Sequence, residues 1–145
     1  MTTPPVALDQ ELATRLRVAV ARVHRRLRQQ SLGGLSPAQA SALGSINRLG
    51  TPTLGELAQA EQVQPPTMTR LVATLEGAGL VSRLADAGDG RVCRVRLTAE
   101  GRRTVARVRT LKDAYLSRRF AALSPAEQAA LGELTSLLEH LVAEE

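Results

Sequence analysis

Apolar residues recur with helical spacing along most of this chain and alternate with period two only between residues 81 and 97. Leu12, Leu16, Val20, Val23 and Leu27 form a first stripe, predicting a helix from Leu8 to about Gln30 that Gly33-Gly34 breaks. Thr2 to Ala7, ahead of it, is expected to be a frayed or partner-draped arm. Ser36-Pro37-Ala38-Gln39 reads as a capping box with proline at the first helical position. It opens a short helix that packs through Ala40, Leu43 and Ile46 and ends near Gly50. Thr53 and Glu56 form a second capping box, and Leu54, Leu57 and Ala58 share one face of the helix they start. Thr98 caps a long helix with Val105, Val108, Leu111 and Tyr115 along one side. Ser124-Pro125-Ala126-Glu127 opens a last helix carrying Leu131, Leu134, Leu138 and Leu141.

The centre of the chain carries the candidate chemistry. After the short link Glu61-Gln62-Val63-Gln64, Pro65 and Pro66 occupy a first helical turn, where their missing N–H groups cost nothing. Met68, Leu71, Val72 and Leu75 follow at i, i+3, i+4 and i+7, one buried stripe. The opposite face carries Thr67, Thr69, Arg70, Ala73 and Thr74. Small hydroxyls and one arginine suit a helix pressed against phosphates and base edges; the plainer alternative is a solvated face. Gly77 and Gly79 end this helix, with Gly79 the better left-handed cap. Residues 81–85 and 91–97 then predict two strands around Asp86-Ala87-Gly88-Asp89-Gly90, whose Asp-Gly pair favours a tight hairpin. Cys93, Val95 and Leu97 face inward, leaving Val92, Arg94 and Arg96 on a largely basic outer side. Arg91, just past the tip, is placed to reach a minor groove, with Asp89 bracing it or simply stiffening the hairpin.

That order is a mainly α, α+β fold: a winged helix-turn-helix over residues 36–97, flanked by helices over 8–31 and 98–145. The flanking stripes cannot all be buried on so small a lobe. Leftover apolar surface points to a partner, most simply a second copy on a two-fold axis. The expected DNA-contacting residues are Gln64, Pro65, Thr67, Thr69, Arg70, Thr74, Asp89 and Arg91, and the expected partners are a double-stranded operator and the chain itself as a homodimer.

Composition tempers the charge argument. The net charge is +5, yet residues 50–101 hold five arginines against six acids. The excess lies in residues 1–49, with seven arginines, and 102–120, with seven cations, while 121–145 has five glutamates and no cation. Arg22, Arg25, Arg26 and Arg28 crowd the end of the first helix. A solvated face suited to a helix C-terminus is preferred there over direct DNA contact, and an anion site stays open. One cysteine excludes an internal disulfide, and Cys93 reads as a small core residue. His24 and His140 lie on different helices, so no metal site is expected. No paired carboxylates or glycine-rich nucleophile turn suggest catalysis or a cofactor, and no enzyme is expected. No apolar run approaches membrane length and the polar start is not a signal peptide, so a cytoplasmic protein without membrane association is expected.

These residues resemble the MarR family of bacterial transcriptional regulators. The matching pieces are Gly-Glu-Leu-Ala (55–58), Pro-Pro-Thr-Met-Thr-Arg-Leu-Val (65–72), Leu-Glu-Gly-Ala-Gly-Leu-Val (75–81), the Asp-x-Arg of residues 89–91 and Leu-Thr-Ala-Glu-Gly (97–101). Leu-Ser-Pro-Ala-Gln (35–39) resembles the family's entry to its second helix. Gly90 departs from an arginine common at the wing tip, and Gln64 from a common Ser or Thr cap. The resemblance implies a homodimeric regulator, most often a repressor. It also implies a small anionic or phenolic effector in a crevice between the dimer helices and the winged helix. The rival is a winged helix used for protein–protein contact or chromosome organisation, without ligand response.

Overall fold

The computed structural model describes residues 10–30 and 33–143. Its elements are α1 (Gln10–Arg28), α2 (Pro37–Leu49), α3 (Leu54–Ala60), α4 (Pro65–Gly77), β1 (Val81–Ala85), β2 (Cys93–Leu97), α5 (Ala99–Phe120) and α6 (Pro125–Ala143). The expected arm at Thr2–Ala7 lies outside the described residues.

Each cap does what its local chemistry requires. Ser36 Oγ accepts from Gln39 N at 3.1 Å, while Gln39 Oε1 accepts from Ser36 N at 2.8 Å. Thr53 and Glu56 make the same reciprocal pair at the start of α3, and Ser124 and Glu127 at the start of α6. Each box pairs helix-end amides that would otherwise lack partners. The Glu127 carboxyl is held below its ordinary value, first by the Ser124 amide and then by its hydroxyl.

One apolar cluster unites Leu43 and Ile46 of α2, Leu57 and Ala58 of α3, Met68, Val72 and Leu75 of α4, and Leu80, Val81, Val95 and Leu97 of the wing. Leu71 is only half-buried at its edge. The two strands pair antiparallel, from Val81 opposite Leu97 to Ala85 opposite Cys93. Thr53 adds an isolated antiparallel bridge to Arg94, and Pro52 O accepts from Val95 N at 2.9 Å, seating the wing on the α2–α3 corner.

The wing differs from expectation in two ways. β2 begins at Cys93, two residues late, because the connection is a seven-residue loop and not a tight Asp-Gly turn. Neither Gly88 nor Gly90 adopts positive φ, which a type I′ turn requires. The loop is instead closed by Asp86 N donating to Val92 O at 2.9 Å and Val92 N donating to Asp89 O at 3.0 Å. Cys93, at its foot, is half-buried and free.

The wing returns to the end of α4 at a single junction. Gly79 takes φ +75°, as the sequence predicted for the cap. Thr98 Oγ1 donates to Gly79 O at 2.7 Å, Thr98 N donates to Leu80 O at 3.0 Å, and Thr98 Oγ1 accepts from Gly101 N at 3.0 Å. The first turn of α5 therefore lies directly on the Leu80 backbone, and a Cβ on Gly101 would fall 2.0 Å from Leu80 O.

The flanking helices are a different case. α1 and α6 contribute no buried residue, and Val108 is the one apolar α5 side chain that is buried. Leu12 is 59% exposed, Leu141 65% and Val142 70%. Within one chain, Leu16 and Leu27 of the α1 stripe and Leu131 and Leu138 of the α6 stripe are half-buried, and the remaining stripe residues are exposed.

Gly101→Ala forces backbone apart at the junction, so it is expected to destabilise the chain by about 1–3 kcal/mol. Chemical denaturation of the variant beside the parent measures this.

Candidate nucleic-acid interface

The recognition candidate α4 is held by its buried stripe and presents Thr67, Thr69, Arg70 and Thr74 to solvent. Gln64 is the N-cap residue by its extended backbone, φ −69° and ψ 144°, and makes no side-chain cap bond. None is needed: Pro65 and Pro66 carry no N–H, and Gln64 O accepts from both Thr67 N at 3.0 Å and Met68 N at 3.1 Å. The Gln64 side chain is thus left exposed at the tip of the helix.

Three outward side chains lean back on their own helix. Thr69 Oγ1 donates to Pro65 O at 3.0 Å, Thr74 Oγ1 to Arg70 O at 3.1 Å, and Arg70 Nε to Pro66 O at 3.4 Å. The hydroxyls keep acceptor lone pairs, and the Arg70 guanidinium keeps its terminal N–H groups. Thr67, Arg70 and Thr74 line one side of α4 together along a groove of about 360 Å³. Asp89 and Arg91 stand apart on the wing, where Asp89 Oδ1 accepts from Arg91 N at 3.0 Å and from its Nε at 3.3 Å. The bracing read from the sequence is present, and the Arg91 side chain remains almost wholly exposed. The eight expected residues therefore form two groups, one on the helix and one on the wing tip.

The sequence reading missed the brace between those groups. Arg94, expected on an open basic face, is half-buried: its Nε donates to Asp86 Oδ1, and its Nη1 donates to Thr51 O at 3.0 Å. The same Nη1 lies 3.9 Å from Glu56 Oε2, the carboxylate that caps α3. Asp86 Oδ2 also accepts from Gly88 N at 3.0 Å and Asp89 N at 3.1 Å. One arginine thus joins the wing loop to the entrance of the helix-turn-helix. The hydrogen bond from Arg94, helped by the Gly88 amide, holds the Asp86 carboxyl below its ordinary value, and Asp86 raises Arg94 in return. The signal was an acid and an arginine flanking a turn, legible only once the strand register is known.

No group of three His, Cys, Asp or Glu side chains that would hold a metal exists among the described residues. No described helix is long and apolar enough to cross a membrane.

The MarR family model matches residues 35–93. An uncharacterised HTH-type transcriptional regulator of Mycobacterium bovis is 36% identical over 137 residues, covering 94% of this chain and 96% of that protein. This chain belongs to the MarR family. A proposed transcriptional regulator protein from Pseudomonas aeruginosa has a similar crystal structure, with TM-score 0.79 and 36% identity over 94% of this chain and 98% of that one. A Staphylococcus aureus MepR variant bound to an oligodeoxyribonucleotide shares the fold at TM-score 0.66, with 24% identity over 90% of this chain and 97% of that one. As a MarR-family protein, the chain is a DNA-binding transcriptional regulator with a winged helix-turn-helix.

Because the folded-state value of Asp86 is depressed, its ordering of the wing is complete above the ordinary carboxylate range and is lost as pH falls through the lowered value. Its charged neighbours are Arg94, and through it Glu56. An acid titration followed by NMR should move the Gly88 and Asp89 amides together, and Asp86→Asn should abolish that transition.

Proposed function

We propose that the chain is a homodimeric repressor that binds a near-palindromic operator through two copies of α4 and releases it when a small effector binds. The observation that carries the reading is the pairing of an exposed Thr/Arg helix face with helices α1 and α6 that have no buried residue in the single chain. Exposed Leu12, Val20 and Val23 on α1, and Leu134, Leu137 and Leu141 on α6, make apolar faces of the kind two-fold association covers. The oligodeoxyribonucleotide bound to the fold relative supports duplex DNA as the partner. On this reading Gln64, Pro65, Thr67, Thr69, Arg70 and Thr74 meet the major groove, and Arg91, braced by Asp89, meets the adjacent minor groove.

The effector site on this reading is a cavity of about 540 Å³ between α2 and α5. Ala40, Leu43, Val105 and Val108 give it apolar walls, and Arg48, Arg109 and Lys112 outnumber Asp113 at its polar side. Apolar walls with excess positive charge suit a small anionic or phenolic molecule. A ligand that fits one spacing of the two readers better than the other shifts the population away from the DNA-competent form.

Leu141→Glu, at a site exposed in one chain, should leave the fold intact and raise the monomer fraction in sedimentation. Arg70→Ala should weaken binding to a selected operator by roughly 1–3 kcal/mol. Equal affinity of that variant and the parent would favour protein–protein contact or chromosome organisation instead.

A further inference from the structure

Half of the arginines of the reader lobe are paired with carboxylates of the lobe itself. Of the six arginines in residues 36–97, Arg83 lies 3.5 Å from Glu76, Arg91 lies 3.3 Å from Asp89, and Arg94 is paired with Asp86. Sequence-independent affinity for duplex DNA comes from cations that displace counterions from phosphates. Cations outside the lobe can therefore add to it. One of them is already beside the reading face. The groove along α4 is walled on one side by Thr67, Arg70 and Thr74, and Arg28, in the last turn of α1, lines it too. Arg28 is exposed and pairs with no carboxylate among the described residues. Arg25, one turn earlier, lies on the same side of α1. Glu61 also lines the groove, but its carboxylate accepts a hydrogen bond from the buried Ser45 hydroxyl and is tied to α2. A phosphate near that carboxylate requires a neighbouring cation.

We propose that Arg28 is a phosphate-contacting residue of the DNA-bound protein. When α4 enters the major groove, the sugar-phosphate strand along its edge enters the cleft between α4 and the end of α1, with Arg28 and Arg70 both lining that cleft. The first helix then does more than join two protomers: it grips the same strand that the reader adjoins. Sequence reading favoured a solvated face for this cluster, because nothing in the spacing of α1 shows that its end meets α4. The contact is to phosphate, so it positions the protein without reading bases. The inference rests on the DNA-binding reading above.

The test is a salt titration of the parent, Arg28→Gln, Arg28→Lys and Arg118→Gln, on a selected operator and on an unrelated duplex. Arg28→Gln should reduce the slope of log K against log salt by about 0.9 per protomer, or about 1.8 per dimer. It should weaken both duplexes by the same factor while leaving melting temperature and oligomeric state unchanged. Arg28→Lys should keep the parental slope, and so should Arg118→Gln, which removes the same charge from the far end of α5. An unchanged slope in Arg28→Gln, an equal loss in Arg118→Gln, a loss confined to the operator, or a lower melting temperature would each overturn the proposal. A parent that binds neither duplex would instead defeat the DNA-binding reading on which it stands.

Discussion

A wing can serve a recognition helix only if both are anchored to one point, and here that point is the backbone of Gly79 and Leu80. The chain leaves α4 through a left-handed glycine, runs out along β1, returns along β2, and is pinned back where it left by the Thr98 hydroxyl and amide. Gly101 lets α5 begin against that same carbonyl. The closure fixes three directions together: the axis of α4, the plane of the wing and the course of α5. α5 then runs on from that junction to Phe120, so its course is set where the reader ends.

The second constraint is electrostatic. Half of the arginines of the lobe are engaged in holding its own parts together, with Arg94 bridging the wing loop, the α2–α3 corner and the α3 cap. Such pairs are individually modest when exposed, but Arg94 is half-buried and satisfies a backbone carbonyl as well. The consequence is that much of the charge inside the lobe sets its shape. The low net charge of residues 50–101, which weakens a composition-based case for DNA binding, has a structural reason in these pairs.

What was legible in the sequence was what is decided within a few residues. The boxes at Ser36, Thr53 and Ser124, the two prolines opening α4 and the Gly79 cap all follow from local hydrogen-bond demand, and the stripe at Met68, Val72 and Leu75 from helical period. What was not legible depends on register or on the meeting of distant elements. The loop takes its shape from the Asp86 side chain and not from Asp89-Gly90, and this delays β2 to Cys93. Arg94 turns inward because Thr53 pairs beside it. Arg28 reaches the groove of α4 through the path of α1, which no spacing within α1 reveals. The stripes of α1 and α6 were readable as apolar faces, and the structure adds that one chain leaves them largely open.

The central claim is that this lobe reads duplex DNA in pairs, at a separation set by the flanking helices. Selection of binding sites from random duplexes by the full chain tests it most directly. The account predicts an enriched two-fold repeat whose half-sites are centred about ten base pairs apart. Enrichment of a single unrepeated half-site, or of no sequence at all, would contradict it.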